Sequence, residues 1–401
     1  MGPGAPTVGP MGTEIDVYGS AAPWAAQRPS VRPPPASDGS GLVIVCEQCA
    51  EVGGTERVIG ALARAYPRAT LIAPDFVGVD GRSGGDDYLR SRVRTAWRGG
   101  ALQHYLLPLY SRRIRRLDLG GAAVVLSMAS HGWSLAARPP SGARHLTYHA
   151  GPSPSLYTRR SWYLRAHPPL ARPLARAAMP ALRAHSRRLL HGTDRVLVPS
   201  GWSAAEIARL GGRDGEVLHP PVRTDFFTPA GSERRHLLFV ARLVPHKRPE
   251  AVIEAFRSLR DELVVVGDGP LLQRLREAAP RNVRFTGHVD DRELRELYRS
   301  SRALVCPSVE EFGIVMAEAH ACGAPVIAPR NGGALDIVRD GETGILLDRV
   351  DASSLAAAVR GLGRRSFDPG ACRASAERFS EWRFLARFDQ VLGEELGRVS
   401  H

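Results

Sequence analysis

Short apolar runs alternate with amphipathic segments along most of this chain. The runs Leu42–Cys46 and Thr70–Ala73 are apolar and of strand length, and apolar positions with helical spacing lie between them. This arrangement predicts a β-α-β unit. From residue 236 onward, strand-like and helix-like segments alternate regularly, which predicts a second parallel, doubly wound sheet.

The same pattern predicts the remaining elements and the fold class. The fold class is α/β, with two tandem Rossmann-like doubly wound domains that face each other across a cleft. We expect four prolines to interrupt the arginine-rich helical segments between residues 91 and 191, namely Pro168, Pro169, Pro173 and Pro180. Further strands are predicted at 122–126, 144–148, 195–198, 217–219, 236–240, 263–266, 283–286, 303–306, 325–328 and 344–347. Helices are predicted at 203–210, 249–259, 271–278, 291–300, 315–322, 334–338, 352–362, 372–379 and 381–396.

Composition divides the chain into four parts. Residues 1–40 hold eight Pro and six Gly without a hydrophobic period, which predicts a disordered tail. An N-terminal Rossmann-like domain is predicted at 41–228 and a C-terminal one at 229–380. The helix within 381–401 is expected to pack back toward the N-terminal domain. The chain has no apolar run of about 18 residues, and its first 40 residues lack the apolar segment of a signal peptide. We therefore expect a cytoplasmic protein.

Two cations follow the strand at 236–240. Arg242 lies at its end and Lys247 lies just before a helix that begins with proline. A guanidinium fork and an ammonium at the carboxyl end of a strand suit a diphosphate. A solvated basic loop would give the same residues, but the chain has 53 arginines and Lys247 is its one lysine. This bias favours a chemical role for Lys247.

An acidic motif follows the strand at 303–306. Glu310 precedes a helix, Glu318 lies within it, and Gly313 is near its N-terminus, where free backbone amides bind anions. The two carboxylates would then flank an anion, one facing a sugar and the other a ribose. An acidic loop beside an amphipathic helix is the plainer alternative.

Weaker signals come from the N-terminal half. The turn Gly53-Gly54 follows the first strand and would let the backbone approach a phosphate or sugar. His131 follows a strand and could reach the reacting centre, although a lone histidine is more often structural. The pair Cys46 and Cys49 is weak evidence for zinc, and Cys46 is expected to be buried.

Together these residues resemble retaining glycosyltransferases of family 4, which have the GT-B fold. The resemblance rests on Arg242 and Lys247, on the Glu310–Glu318 motif, on the Gly53-Gly54 turn and on residues 217–222. It is dense from about 194 to 347 and reaches back to residue 42. The sequence of residues 310–315 and 332–335 is most similar to that of mannosyltransferases that build polysaccharide and O-antigen chains.

The resemblance implies a role for each matching residue. Arg242 and Lys247 would hold the donor diphosphate, Glu310 would face the donor sugar, and Glu318 would bind the ribose. Gly53-Gly54 and His131 would complete the site from the other domain. The backbone amides beside the sugar would be those of Phe312, Gly313 and Ile314.

The resemblance further implies transfer with retention and no essential metal. The chain contains no Asp-x-Asp triplet. The favoured donor is GDP-mannose, and the favoured acceptor is a glycan or a lipid-linked acceptor. Two segments depart from the family pattern: Pro199-Ser200 replaces a common Asn-Ser, and residues 148–152 around His149 replace His-Thr-Pro-Met. The acceptor is therefore expected to be unusual.

The charge is concentrated in one stretch. The net charge is +13, yet residues 90–193 alone hold 18 Arg and one acid, Asp118. Mixed with Trp97, Tyr105, Tyr110 and Trp162, these arginines predict a patch for an anionic membrane surface that presents a lipid-linked acceptor. An ordinary solvated face loaded by the arginine bias remains the alternative.

Other functions stay open at this point. A UDP-sugar such as UDP-glucose could be the donor, with a small-molecule acceptor. A GT-B epimerase or phosphorylase would share the donor site. Nucleic-acid binding through the basic stretch is the alternative of another class, and it is disfavoured because no nucleic-acid-binding motif accompanies the charge.

Overall fold

Parallel β-sheets organise the part of the chain that the structure describes. The computed structural model describes residues 37–47, 54–73, 93–95, 107–157, 160–161, 164 and 169–399. These residues belong to one compact unit. Residues 1–36 of the predicted tail, Gly53, Cys49 and the aromatic residues Trp97, Tyr105 and Trp162 lie outside the described residues.

The N-terminal lobe is built on a parallel sheet of seven described strands. Their spatial order is β3-β2-β1-β4-β5-β6-β7, so the chain winds outward in both directions from β1 and β4. Apolar side chains on both faces of the central strands are buried, as helices on both sides require. The strands are β1 (Leu42–Cys46), β2 (Thr70–Ala73), β3 (Val93–Thr95), β4 (Val124–Ala129), β5 (Arg144–His149), β6 (Arg195–Val198) and β7 (Glu216–Val217). The described helices are α1 (Gly54–Ala65), α2 (Leu107–Ile114), α3 (Arg172–His191) and α4 (Gly201–Gly211).

The C-terminal lobe repeats the arrangement with six strands in the order β10-β9-β8-β11-β12-β13. The predicted fold class is confirmed by these two doubly wound sheets. The strands are β8 (His236–Val240), β9 (Leu263–Val266), β10 (Val283–Gly287), β11 (Ser301–Val305), β12 (Val326–Pro329) and β13 (Gly344–Leu347). The helices are α5 (Pro249–Phe256), α6 (Leu272–Ala278), α7 (Asp291–Arg299), α8 (Ile314–Ala321), α9 (Ala334–Ile337), α10 (Ala352–Leu362), α11 (Pro369–Glu377) and α12 (Glu381–Val399).

Two sequence predictions are wrong in the N-terminal lobe. Pro180 does not interrupt its segment but lies inside the 20-residue helix α3. The helix tolerates the lost hydrogen bond because its inner face, including Leu189 and Leu190, is buried in the core. The strand predicted at 122–126 instead spans Val124–Ala129, because it pairs with β1 along its length, from Leu42–Val124 to Cys46–Met128.

The two lobes are joined twice, side by side. Val222 in the first connection accepts a hydrogen bond from Glu381 N (3.1 Å) and donates one to Phe379 O (2.8 Å) in the second. Helix α12 then returns to the N-terminal lobe and adds five buried side chains to its core. They are Phe384, Leu385, Phe388, Val391 and Leu392. None of the helices in the described ranges is long and apolar enough to cross a membrane.

Candidate active site

The cation loop lies at the carboxyl end of β8. A short 3₁₀ turn, Pro245–Lys247, connects this strand to α5 and carries the lysine at its end. Lys247 Nζ lies 2.7 and 2.6 Å from the two carboxylate oxygens of Glu310. Burial lowers the pKa of Lys247, but the charge and hydrogen bonds of Glu310 outweigh it and raise that pKa above its ordinary value. The structure therefore places the predicted diphosphate cation and the predicted sugar-facing carboxylate in direct contact.

The loop that carries Glu310 ends at the N-terminus of α8. Gly313 caps this helix in the left-handed conformation (φ +96°), and Ser308 Oγ donates a hydrogen bond to Glu310. Phe312 is buried beside the loop, and Ile314 begins the helix. The amides predicted to face the donor thus lie at a helix N-terminus, where a negative charge is stabilised.

A pair of glycines supports this loop from behind. Gly333 N donates a hydrogen bond to Glu310 O (2.8 Å). A Cβ atom on Gly333 would lie only 2.2 Å from Phe312 O, so any side chain there would push the loop away. Gly332-Gly333 therefore acts here as a close-packed backbone support.

Glu318 lies within helix α8 and is fully buried. Arg57, from the first turns of α1 in the other lobe, forms an ion pair with its Oε1, and Tyr298 OH donates to its Oε2 (3.1 Å). Burial raises the pKa of Glu318, and the Arg57 charge opposes that rise. A ribose could reach this carboxylate only if Arg57 moved aside. Arg57 follows the Gly53-Gly54 turn, in which only the two glycines were predicted to have a role.

The N-terminal lobe contacts both the Glu310 loop and the start of α8. A Cβ built on Gly54 would lie 3.5 Å from Ile314 Cδ1, and one built on Gly151 would lie 3.3 Å from Glu311 Cγ. Ser200, which caps α4 by accepting a bond from Ser203 N (3.1 Å), donates its hydroxyl to Glu311 O. Both segments that depart from the family pattern, 148–152 and 199–200, therefore border the site.

Two buried or half-buried groups complete this border. Burial lowers the pKa of His149 to about 4, so its ring is neutral, and Gly151 N donates to its Nδ1 (3.3 Å). Asp336 in α9 accepts hydrogen bonds from Gly201 N (2.8 Å) and His219 Nε2 (3.0 Å). Burial opposes ionisation of Asp336, but these bonds prevail and hold its pKa below the ordinary value of 3.8.

His131 follows β4 and is buried, with 8 % of its surface exposed. Its backbone N–H donates to the carboxylate of Glu47, a residue to which the sequence analysis assigned no role. Cys46 is buried, as expected. In the described part of the chain, no cluster of three or more His, Cys, Asp or Glu is placed to hold a metal ion.

The described part of the basic stretch includes a cavity of about 540 Å³ beside α3. Two leucines near the start of this helix are largely exposed, Leu170 at 95 % and Leu174 at 75 %. The cavity is lined by Arg160, Ser161, Leu164, Arg172, Arg176 and Met179.

Comparison with known proteins finds a family model that spans most of the candidate site. The family model described as glycosyl transferases group 1 matches residues 223–369, which include Arg242, Lys247, Glu310 and Glu318. A D-inositol 3-phosphate glycosyltransferase of Catenulispora acidiphila is 34 % identical over 209 residues, which cover 44 % of this chain and 49 % of that protein. A GDP-mannose-dependent phosphatidylinositol monomannoside mannosyltransferase of Mycobacterium tuberculosis is 33 % identical over 213 residues, covering 45 % and 55 %. The chain thus matches about half the length of these relatives.

Solved structures show the same fold over most of the chain. Sucrose-phosphate synthase from Thermosynechococcus elongatus aligns with a TM-score of 0.70 at 20 % identity, covering 88 % of this chain and 98 % of that one. HepE from Anabaena, solved in complex with UDP and glucose, aligns with a TM-score of 0.68 at 16 % identity, covering 88 % and 99 %. Residues 223–369 of the chain therefore match the group 1 glycosyl transferases, and its two lobes have the GT-B fold.

Proposed function

We propose that the protein is a retaining glycosyltransferase that moves a hexose from a nucleoside-diphosphate sugar to a hydroxyl group of its acceptor. The observation that carries this proposal is the contact between Lys247 and Glu310 at the carboxyl edge of β8 and β11, inside the matched domain. A cation and a carboxylate at one point suit a ligand with a diphosphate at one end and sugar hydroxyls at the other.

The chemistry follows from these groups. The bond between the anomeric carbon and the phosphate oxygen breaks, and its electron pair stays on the diphosphate. Arg242, Lys247 and the N-terminus of α8 stabilise that charge. The acceptor hydroxyl attacks from the face that the diphosphate leaves, and its proton passes to a phosphate oxygen. Glu310 positions the sugar and stabilises its developing positive charge; it is not assigned as a covalent nucleophile.

We further propose that this chemistry needs no metal ion, because the two cations and the helix N-terminus supply the positive charge that a metal would otherwise provide. Transfer in EDTA-treated protein should equal transfer in buffer with Mg²⁺. Loss of activity in EDTA that added Mg²⁺ or Mn²⁺ restores would overturn this part of the proposal.

The proposed donor is GDP-mannose, the donor for which the Mycobacterium tuberculosis relative is named. A UDP-sugar is the second candidate, because HepE was solved with UDP-glucose. Titration calorimetry with GDP, UDP, GDP-mannose and UDP-glucose separates the two. Tight binding of GDP and GDP-mannose supports mannosyl transfer, whereas selective binding of UDP and UDP-glucose reassigns the donor. If none of the four ligands binds, the proposed function is contradicted.

The proposed acceptor is a glycan or a lipid-linked glycan at an anionic membrane surface. The arginine-lined cavity beside α3 and the exposed Leu170 and Leu174 support this choice, since cationic and apolar groups together favour anionic lipid surfaces. Flotation with vesicles of anionic and of neutral lipid tests it. We expect binding to the anionic vesicles that weakens with salt and with Leu174→Ser; no binding at low salt would remove the membrane from the proposal.

A further inference from the structure

A buried carboxylate organises the loop that carries His131. Glu47 is the first residue after β1 and only 1 % of its surface is exposed. Its Oε2 accepts from Ser130 N (2.9 Å) and His131 N, and its Oε1 accepts from Gly132 N (2.9 Å). Ser134 adds two bonds to Oε1, from its backbone N (2.8 Å) and its hydroxyl (2.9 Å). Five donors from one short loop thus converge on a single side chain.

The backbone of this loop is shaped to surround an anion. Successive amides can point to one centre only if the chain turns sharply, and Gly132 provides the turn with a φ of +92°. Such amide concavities often hold a phosphate, but here the protein's own carboxylate fills it. Burial raises the pKa of Glu47, and the backbone and hydroxyl donors oppose that rise by stabilising the ionised form.

A second polar anchor holds the far end of the same loop. Ser127 Oγ donates to Ser134 O (2.9 Å) and lies 2.8 Å from His145 Nε2. Because the hydroxyl has one proton, which it gives to Ser134 O, the His145 ring must donate from Nε2. Trp133, buried between these anchors, packs against Tyr110 with ring centroids 5.7 Å apart. The loop is therefore fixed from both ends and along its inner face.

The position of the loop gives this rigidity a role. β1 and β4 are neighbours paired up to Cys46–Met128, so Glu47 and His131 both lie just beyond the carboxyl edge of the sheet, where open α/β sheets bind ligands. We propose that Glu47 is a positioning residue of the transferase: it fixes the backbone on both sides of His131 and thereby sets the place of the imidazole at the reacting centre. This inference rests on the proposed function.

The test combines Glu47→Gln with His131→Ala. Glutamine keeps the size of the side chain but turns an NH₂ group toward backbone donors, so the loop must shift. We expect kcat to fall by about 10- to 100-fold, the scale that a misplaced catalytic group produces, while the calorimetric Kd for the nucleoside diphosphate stays within about twofold. In the His131→Ala background, Glu47→Gln should cause no further fall in kcat, because the two changes remove one function.

A matched control separates positioning from stability. Glu395 is another fully buried carboxylate. It pairs with Arg144 and Arg195, the first residues of β5 and β6, and so lies near the amino edge of the sheet, opposite to the edge that carries this loop. Glu395→Gln should lower the melting temperature while leaving kcat per folded molecule unchanged. If Glu47→Gln does not fold, Ser134→Ala serves instead, since it removes one donor to Oε1 and the expected fall in kcat is smaller.

Two results would overturn the proposal. One is an equal fall in kcat from Glu47→Gln with and without His131. The other is an unmoved His131 ring signal in histidine-labelled Glu47→Gln protein, assigned by its absence in His131→Ala. The NMR measurement needs no turnover, so it decides the role of Glu47 even if the wild type transfers no sugar and the proposed function fails.

Discussion

Replacing Lys247 by methionine tests the candidate donor site most directly. Methionine keeps most of the apolar stem but removes the charge that lies 2.6 Å from Glu310. A hydrogen bond to a charged group contributes about 1.5–3 kcal/mol. The variant also leaves Glu310, which is 12 % exposed, as a carboxylate without its partner beside the incoming diphosphate.

These two effects act in the same direction on donor binding. We expect the binding free energy of GDP or UDP to weaken by about 2–4 kcal/mol, which is about 30- to 700-fold in Kd. The folded state should also lose about 3 kcal/mol, because one partner of a mostly buried ion pair is removed. Titration calorimetry measures the first effect and thermal unfolding the second.

Two further variants make the result specific. Lys247→Met combined with Glu310→Gln removes both charges, so it should recover stability but not donor binding. Arg274→Met removes an exposed cation from α6 of the same lobe, and it should change neither stability nor donor binding. The reasoning is refuted if Lys247→Met binds nucleoside diphosphates as the wild type does, or if Arg274→Met weakens binding as much.

Three other changes have definite expected outcomes. Gly333→Ala should lower both the melting temperature and donor affinity, because its methyl group would displace the loop backbone 2.2 Å away, whereas Gly361→Ala in α10, which meets open space, should stabilise by about 0.5–1 kcal/mol; equal melting temperatures would contradict this. Arg57→Met leaves the buried Glu318 without its cation and should cost about 3 kcal/mol in chemical unfolding, and an unchanged midpoint would show that the pair contributes nothing. Asp336 has a pKa below 3.8 in the folded state, so it stabilises the fold above that pH and the contribution is lost as pH falls through the folded pKa; Asp336→Asn should therefore flatten the acid side of a stability–pH curve, and a curve parallel to the wild type would refute the assignment.

The sequence predicted those parts of the molecule that local chemistry determines. The runs 236–240 and 263–266 are continuous and apolar, and both were found as strands with those bounds. The loop positions of Lys247 and Glu310 followed from neighbouring strands whose carboxyl ends share an edge, although no spacing rule indicated that the two side chains would touch.

The contacts that the sequence did not predict have a common physical cause, since they join residues that are remote along the chain. Arg57 meets Glu318 across 261 positions, and Glu47 meets its loop across more than 80. Hydrophobic periodicity and short motifs involve residues that are close together along the chain. Contacts between distant residues, such as these two, therefore cannot be predicted from them. The prediction that Pro180 interrupts its helix was wrong for a related reason. Local propensity predicts a helix break at proline, but tertiary packing of the inner face of α3 overrides it.

The return of α12 to the N-terminal lobe has a consequence for how the protein is made. Five buried side chains from this helix complete the N-terminal core, and each contributes about 1.5–3 kcal/mol, together as much as the whole stability of an ordinary domain. These residues are synthesised after both sheets, whereas the six strands of the C-terminal lobe, between His236 and Leu347, emerge as one uninterrupted segment. The C-terminal lobe can therefore fold during synthesis while the N-terminal core stays incomplete until α12 emerges, and an expression product that stops before α12 will carry an N-terminal lobe with an open core.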